Sequence, residues 1–402
     1  MQSCTVMQDE VQIRSIACRT KLHRWAGALP IVLFLLGVTQ PAHGGGGSLE
    51  IRGGYFWDPT TARFFYPHGI AYQSWNPPVV ANQSLDQVGS DLLEIKKMHA
   101  NSVRAEMVWN VVESKRGQFD WTKPDYLVHQ AEKLELKLFI LIGFQYAPDW
   151  FPEEWKALNA ENARSFVLNY ENPDARLAYS NYIAQVTSRY RNSRAIGGWI
   201  LGNEYAYFDL WEPQRRYLGY DSDSQASFRA FLQHIYGGDM ARANATWGTS
   251  YPSFDAVPMP RAYPVQRNQP LFHDLIQWRK RSLGDYVALG VRAARAADPN
   301  HLLTYSMIGG LFGDADAYYT CEDGRTIVQT CKEAGAPLDF WSINNYAIAS
   351  LASELRAGDF GIAKHQLDTG LPVLLSETGH TSTETLHPDV AWRQPVAVPT
   401  QV

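Results

Sequence analysis

The sequence predicts an α/β fold, a (β/α)8 barrel of the TIM type. From about residue 65 onward, short apolar runs alternate with longer amphipathic ones, which is the pattern of repeated βα units. Several of the short runs are apolar nearly throughout, as expected for parallel strands that are buried on both faces. The 402 residues have room for such a barrel, which typically needs about 250 residues.

The pattern predicts seven strands with helices between them. The strands are expected at Gly69–Gln73, Ser102–Met107, Lys137–Ile142, Ile196–Leu201, His301–Met307, Leu338–Asn344 and Pro372–Ser376. The helical patterns cover Leu85–Met98, Tyr126–Leu134, Ala175–Tyr190 and Leu275–Ala297. Residues 205–300 form an unusually long connection after the fourth strand, where loops of a barrel shape the substrate cleft.

A closed barrel of this type needs an eighth strand. After Ser376 the sequence contains Pro388, Pro395 and Pro399 and shows no helical periodicity, so neither a crossover helix nor a final strand is expected. The sequence therefore predicts a barrel domain over residues 65–382 that is truncated after strand seven, and an irregular tail over 383–402.

The amino-terminal segment has the features of a targeting sequence. Four basic residues precede an apolar run from Ala26 to Val38, which is too short to cross a bilayer comfortably. Ala42 and Gly44 are small residues at the −3 and −1 positions of a cleavage site. Residues 1–44 are therefore predicted to be a signal peptide of a secreted or periplasmic protein, and 45–64 a lead-in to the mature domain. An uncleaved signal anchor is the less favoured alternative.

Composition narrows the range of partners. The net charge of −5 carries no basic excess, which argues against a nucleic-acid partner and against an anionic membrane. No later apolar stretch is long enough to span a membrane, so no stable membrane partner is expected after signal cleavage. The 13 Trp and 21 Tyr fit either core packing or stacking on sugar rings.

Cysteine usage agrees with export. Only Cys321 and Cys331 follow the predicted signal peptide, and they flank a turn-prone stretch, so a local disulfide is a candidate in an oxidising compartment. The histidines show no metal-ligand spacing and no phosphate-binding glycine loop is present. The sequence therefore predicts no metal and no cofactor.

Two glutamates stand at the ends of predicted strands. Glu204 follows Asn203 at the end of strand four, and Glu377 ends strand seven. Hydrolysis of a glycosidic bond needs two carboxyl groups, one that protonates the leaving oxygen and one that attacks or activates water. A single glutamate at a strand end is more often a solvated carboxylate or an ion-pair partner. The pair, on two strands of one barrel, favours catalysis.

The chain from about Phe64 to Gly379 resembles clan A of the glycoside hydrolases, in particular the amino-terminal barrel of family 42, the β-galactosidases. The motifs that carry the resemblance are Ser102–Trp109, Gly117–Trp121, Ala147–Trp150 and Gly202–Tyr205, together with Phe228–Leu232 and Ala243–Thr249 in the insertion.

The resemblance implies roles for individual residues. Glu204 would be the general acid/base in a dry setting and Glu377 the ionised nucleophile of a retaining β-glycosidase, with carboxyl groups about 5–5.5 Å apart. Asn203 would hydrogen-bond the sugar 2-hydroxyl. Arg104 would keep Glu377 ionised, or else pair structurally with Glu106 or Glu204. Tyr346 would hydrogen-bond Glu377, or else form part of the cleft wall.

Four tryptophans at or just beyond predicted strand ends are candidates for stacking on sugar rings: Trp75, Trp109, Trp150 and Trp155. Trp121, Trp199 and Trp278 are expected to pack, and Trp247 fits either role. The chain also departs from the family pattern. It carries Gly202 where many members have Asp, it lacks the cysteines with which several members bind zinc, and it lacks the middle domain that forms their trimer, so no oligomeric state is implied.

Three functions follow from these observations. The favoured one is a β-galactosidase-like retaining β-glycosidase. The alternatives are an endo-acting β-glycanase of the same clan and a catalytically silent, truncated carbohydrate-binding fragment. Each predicts an oligosaccharide or polysaccharide partner. The sequence leaves open the sugar, the linkage, exo or endo action, and the activity of a barrel without strand eight.

Overall fold

The protein is described by a computed structural model that covers residues 47–76, 82–208, 217–261, 269–309, 321–345 and 362–378. All of these belong to one compact unit, residues 43–402. The predicted signal peptide, the irregular tail and Tyr346 lie outside the described residues and stay predictions.

Strands β1 (Glu50–Arg52), β2 (Tyr55–Asp58) and β3 (Arg63–Phe64) form a small antiparallel sheet ahead of the barrel. Phe56 on its inner face makes edge-on contacts with Phe139 and Phe340, with ring centroids 5.8 and 5.1 Å apart. The segment predicted as a lead-in therefore packs against the barrel strands through an aromatic cluster.

The predicted fold class is confirmed. Among the described residues, seven parallel strands form a nearly closed barrel in the order β4-β5-β6-β9-β10-β11-β12, while β7 and β8 pair as an antiparallel hairpin. The strands are β4 (Gly69–Ala71), β5 (Ser102–Glu106), β6 (Lys137–Leu141), β7 (Lys156–Leu158), β8 (Arg164–Leu168), β9 (Ile196–Asn203), β10 (Leu302–Gly309), β11 (Trp341–Asn345) and β12 (Val373–Glu377). The apolar strands β6 and β9 are buried almost throughout, which is why their sequences lack polar alternation.

Helices cover the outside of the sheet. They are α1 (Leu85–Lys97), α2 (Trp109–Val112), α3 (Thr122–Lys133), α4 (Pro173–Tyr190), α5 (Ser222–Ile235), α6 (Met240–Trp247), α7 (Pro270–Ala297) and α8 (Gly324–Glu333), with a further helical stretch at 362–369 and 3-10 turns at Glu153–Trp155 and Phe254–Ala256. The long connection after β9 contains α5, α6 and α7.

The starts of two helices are set by residues that do not show in the apolar periodicity. Asn172 caps α4, since its side-chain oxygen accepts from the backbone N–H groups of Asp174 and Ala175, and Pro173 opens the first turn. In α7, Pro270 occupies the first turn, five residues before the predicted start at Leu275.

The sequence left a disulfide between Cys321 and Cys331 as a candidate. In the structure both side chains are buried and no disulfide joins them. Burial raises the pKa of the Cys321 thiol to about 11 and that of Cys331 to about 12, so both side chains are neutral packing groups at physiological pH.

Candidate active site

Glu204 follows β9 in a left-handed backbone conformation, with φ of 53°. Its backbone N–H donates to the Ser306 carbonyl on β10 at 2.9 Å, and the next N–H, of Tyr205, donates to the Tyr305 hydroxyl at 2.8 Å. A non-glycine residue in this region costs on the order of 1–3 kcal/mol and persists only where its surroundings fix it. The two bonds to β10 fix the turn that carries Glu204.

Gly202 lies where no side chain fits. A Cβ atom there would approach ring carbons of Tyr205 and Tyr305 to 2.6 and 2.7 Å. Both rings are fully buried, so neither can move aside without disturbing the core. Two tyrosines therefore fill the space that an aspartate would need, which accounts for the glycine in place of the residue that the resemblance implied.

Arg104 connects the strands that carry the two glutamates. Its Nη2 atom lies 2.5 Å from Glu377 Oε1 and donates to Asn203 Oδ1 at 2.8 Å. The guanidinium is 5% exposed and the Glu377 side chain 12% exposed. The structure thus brings together Arg104, Asn203, Glu204 and Glu377 at the carboxyl end of the barrel, as the strand-end positions predicted. Arg104 also pairs with Glu106, at 3.5 Å, so the two roles considered for it occur together.

Glu106 is a third carboxyl in this cluster and, unlike the partly exposed Glu204 and Glu377, it is buried. Its Oε2 accepts from Asn76 Nδ2 at 2.6 Å, and its Oε1 accepts from Gln73 Nε2 at 3.4 Å. Burial raises the pKa of Glu106 above its ordinary value; Arg104 opposes that effect and the charge of Glu377 adds to it. The carboxyl therefore shares the single guanidinium with Glu377.

Asn344 on β11 contacts both residues of the Asn-Glu pair, and no sequence motif pointed to it. Its Nδ2 donates to Glu204 Oε1 at 2.8 Å and to Asn203 Oδ1 at 3.0 Å. Its Oδ1 accepts from the hydroxyls of Ser306 and Ser376 at 2.8 and 2.7 Å. The signal that could have identified Asn344 was a polar side chain near the end of an apolar strand. In the structure this side chain is 2% exposed, and a buried polar group needs hydrogen-bond partners.

Three of the tryptophans proposed for sugar stacking are core residues. Trp109 is 1% exposed, lies flat on Tyr182 with centroids 4.9 Å apart, and donates its indole N–H to Glu113. Trp75 and Trp155 are 3% and 6% exposed. A ring covered in this way offers no face to a sugar, so the predicted stacking role is corrected to a packing role for these three.

Trp150, the fourth candidate, is partly buried. Its indole N–H donates to the Glu113 carbonyl at 2.8 Å, and its ring meets Trp109 and Trp155 edge-on with centroids 6.3 Å from each. It lies at the margin of an aromatic cluster, and its stacking role stays a prediction. Packing is confirmed for Trp199 and Trp278, which are 0% and 2% exposed.

Within the described ranges, no group of three or more histidine, cysteine or acidic side chains is arranged to hold a metal ion. Over the same ranges, no helix combines the length and the apolarity that a membrane crossing requires.

A barrel that holds glutamates at the carboxyl ends of its fourth and seventh strands, with Arg104 bonded to Glu377 and to the Asn203 that precedes Glu204, has the arrangement of a class of proteins, the glycoside hydrolases. A family model described as beta-galactosidase, glycoside hydrolase family 42, matches residues 75–383, which is more than half of the chain. The chain belongs to this family.

Two curated relatives differ in the activity that their names state. Beta-galactosidase Bga from Halorubrum lacusprofundi is 26% identical over 268 residues, which are 63% of this chain and 36% of that protein. Mannan endo-1,4-beta-mannosidase A from Hypocrea jecorina is 37% identical over 86 residues, 20% of this chain and 18% of that protein. The chain thus spans about a third or less of the length of the curated relatives it matches.

Solved structures share the fold. A catalytic mutant of Gan42B, a GH42 beta-galactosidase from G. stearothermophilus, superimposes with a TM-score of 0.61 at 16% identity, covering 77% of this chain and 45% of that one. The catalytic domain of a beta-amylase from Paenibacillus polymyxa gives 0.59 at 13% identity, covering 77% of this chain and 91% of that one. At these identities the similarity shows the barrel, not the substrate.

Proposed function

We propose that this chain carries the catalytic barrel of a retaining β-glycosidase that hydrolyses β-galactosides. Glu377 is the nucleophile and Glu204 the general acid/base. The observation that carries the proposal is the double contact of Arg104, whose Nη2 bridges Glu377 and Asn203 at 2.5 and 2.8 Å. That contact supports the proposal because it links the ends of the fourth and seventh strands, which carry the two carboxyl groups that glycoside hydrolysis needs.

The first step forms a covalent intermediate. The Glu377 carboxylate attacks the anomeric carbon while Glu204 transfers its proton to the glycosidic oxygen, and the alcohol leaves. In the second step Glu204, now ionised, takes a proton from water, which attacks the same carbon and releases Glu377. The ion pair with Arg104 supports the nucleophile assignment, because a guanidinium pairs with an ionised carboxylate.

Asn203 is oriented to bind the sugar. Its Oδ1 accepts from both Arg104 and Asn344, so the two N–H groups of its amide are turned away from them. That amide nitrogen has no hydrogen-bond partner within the described part of the chain, which leaves it to donate to the 2-hydroxyl of a bound galactoside. Such a contact strengthens in the transition state and adds several kcal/mol to catalysis.

The test combines activity with trapping of the intermediate. Wild type, Glu377→Gln and Glu204→Gln are assayed on 4-nitrophenyl β-galactoside, with Glu94→Gln as a control, since Glu94 is exposed and pairs with Lys97 on the same helix. A 2-deoxy-2-fluoro galactoside with a good leaving group should label the peptide that contains Glu377. Labelling of another carboxylate, or a product of inverted anomeric configuration, would refute the proposal.

A second candidate is an endo-acting β-glycanase, favoured by the 37% identity with the mannan endo-1,4-beta-mannosidase over 86 residues. Reducing ends released from β-mannan and from galactan distinguish it. Internal cleavage of mannan without hydrolysis of β-galactosides would select the glycanase, whereas rates equal to those of Glu377→Gln on every substrate would indicate a silent carbohydrate-binding fragment.

We also propose that the protein is exported. The support is the order of basic residues, apolar run and small residues before Gly44. Edman sequencing of protein recovered from the medium or periplasm should begin near residue 45, and recovery of the full chain from the membrane fraction would indicate the uncleaved anchor instead.

A further inference from the structure

The buried amide of Asn344 uses its full hydrogen-bonding capacity inside the candidate active site. Its two N–H groups serve Glu204 Oε1 and Asn203 Oδ1, and its carbonyl oxygen accepts from the hydroxyls of Ser306 and Ser376. An amide offers two donors and two acceptor positions, and each of them faces one of these four groups. The side chain is 2% exposed and its neighbours therefore fix its orientation.

The direction of these bonds follows from Arg104. A guanidinium only donates, so the Asn203 atom that faces it at 2.8 Å must be the amide oxygen. That same oxygen faces Asn344, which must therefore present its nitrogen. Turning the Asn344 amide over would place its oxygen against Asn203 Oδ1 and against the Glu204 carboxyl. The atom of Asn344 that faces Glu204 is therefore the amide nitrogen, because the Arg104 guanidinium can only donate and so sets the orientation of both amides.

A donor fixed on one oxygen of a carboxyl decides where the acid proton resides. The unprotonated, carbonyl-type oxygen is the better acceptor, so the Asn344 N–H selects it. We propose that Asn344 is a positioning residue that keeps Glu204 Oε1 as the acceptor and directs the catalytic proton to Oε2, toward the glycosidic oxygen. This inference rests on the proposed acid/base role of Glu204.

The same bond acts in the second half of the reaction. When Glu204 has lost its proton, the Asn344 N–H donates to a carboxylate, and such charge-assisted bonds are roughly twice as strong as neutral ones. Oε2 is then the oxygen that takes the proton from water. No proton passes through Asn344, because the amide keeps its hydrogens throughout.

The test uses leaving groups that differ in their need for a proton. A 2,4-dinitrophenyl β-galactoside departs without protonation, whereas methyl β-galactoside requires it. In Asn344→Ala we expect kcat/KM for the methyl glycoside to fall about tenfold more than kcat/KM for the dinitrophenyl glycoside, a part of the 10²–10⁴-fold that acid catalysis typically supplies. The ratio of kcat/KM for the methyl glycoside to kcat/KM for the dinitrophenyl glycoside is measured on one sample, so this ratio does not depend on the fraction of protein that is folded.

Two further variants separate the possible outcomes. Ser342→Ala is the matched control, since Ser342 lies two residues earlier on the same face of β11 and bonds Ser306, at 3.3 Å, without reaching either glutamate. Its ratio should equal that of wild type. Glu204→Gln tests the underlying proposal and should lower the ratio further than Asn344→Ala does.

The pH profile gives a second readout. Loss of a donor to the ionised carboxylate favours the protonated form of Glu204, so the basic limb of kcat/KM should move upward by about half a pH unit or more in Asn344→Ala. The role of Asn344 would be overturned if Asn344→Ala changed neither the ratio of the two kcat/KM values nor the basic limb of the pH profile, while Glu204→Gln did lower that ratio. The proposed function would then stay intact. A Glu204→Gln variant without leaving-group selectivity would instead refute the acid/base assignment itself.

Discussion

Replacement of Arg104 by methionine should destabilise the fold in a pH-dependent way. The guanidinium is 5% exposed and lies 2.5 Å from Glu377 and 3.5 Å from Glu106, so its loss leaves two neighbouring carboxylates without a cation. Removing one partner of a buried ion pair typically costs about 3–5 kcal/mol. A domain has about 5–15 kcal/mol of total stability, so the variant should fold but with a large part of that reserve lost.

The sign of the pH effect follows from the carboxyls. The pKa of Glu106 is already raised by burial even with Arg104 in place, and removal of the cation raises it further. A raised pKa in the folded state gives stability that is present below the unfolded pKa and is lost as pH rises through the folded value. The cost of Arg104→Met should therefore be smaller at pH 4.5 than at pH 7.5, where we expect it to approach about 3–5 kcal/mol.

Urea unfolding of wild type and Arg104→Met at both pH values measures this cost. Arg295→Met is the matched control, because Arg295 also pairs at 2.5 Å, with Asp339, but at a site that is 20% exposed and away from the glutamates. In a Glu377→Gln background the Arg104→Met cost at neutral pH should shrink. An equal cost at both pH values, or an undiminished cost in that background, would refute the electrostatic reasoning and point to lost packing instead.

Three further changes test other parts of the structure. Asp298, at 0% exposure, accepts a hydrogen bond from Trp199 and pairs with His301. Burial raises the pKa of Asp298, but these hydrogen bonds outweigh burial and lower the pKa below its ordinary value. Wild-type stability should therefore fall as pH drops below about 4, and Asp298→Asn should flatten that decline in acid unfolding curves. Gly202→Ala should lower stability by about 1–3 kcal/mol through overpacking, seen as a reduced Tm, and an unchanged Tm would mean that the tyrosines yield. Trp109→Ala should cost about 3–5 kcal/mol in urea unfolding while KM for a β-galactoside stays within about twofold; a large rise in KM would restore its sugar-binding role.

The barrel strands were predictable because their signal is local. A parallel strand covered on both faces must be apolar along its whole length, as in Ile196–Leu201, and that property is visible without any partner. Helix starts were less accurate, because the first turn of α7 at Pro270 is defined by a proline and not by the apolar stripe that begins at Leu275.

In the candidate site, too, the residues with a local sequence signal were predicted and those without one were missed. Glu204 and Glu377 were predicted because strand ends converge in a barrel, and the role of Asn203 was implied by the family resemblance. Asn344 was not predicted, because its place in the site depends on hydrogen bonds to Asn203 and Glu204, about 140 positions away, which no local pattern encodes. The stacking role was wrong for Trp75, Trp109 and Trp155 for a related reason. A position near a strand end does not tell which way a ring points, and the Trp109 ring lies on Tyr182.

The difference between the partners of the two glutamates also bears on their roles. A nucleophile must be ionised whenever substrate arrives, and a permanent cation such as Arg104 beside Glu377 favours that single state. An acid/base must alternate between two states in each turnover, so a permanent cation would resist half of its cycle. Asn344 beside Glu204 is neutral, and its N–H can donate to the carbonyl oxygen of the acid as well as to the carboxylate. If the roles were exchanged, the residue that must take up a proton would be the one held against a guanidinium, which argues for the assignment of Glu204 as acid/base and Glu377 as nucleophile.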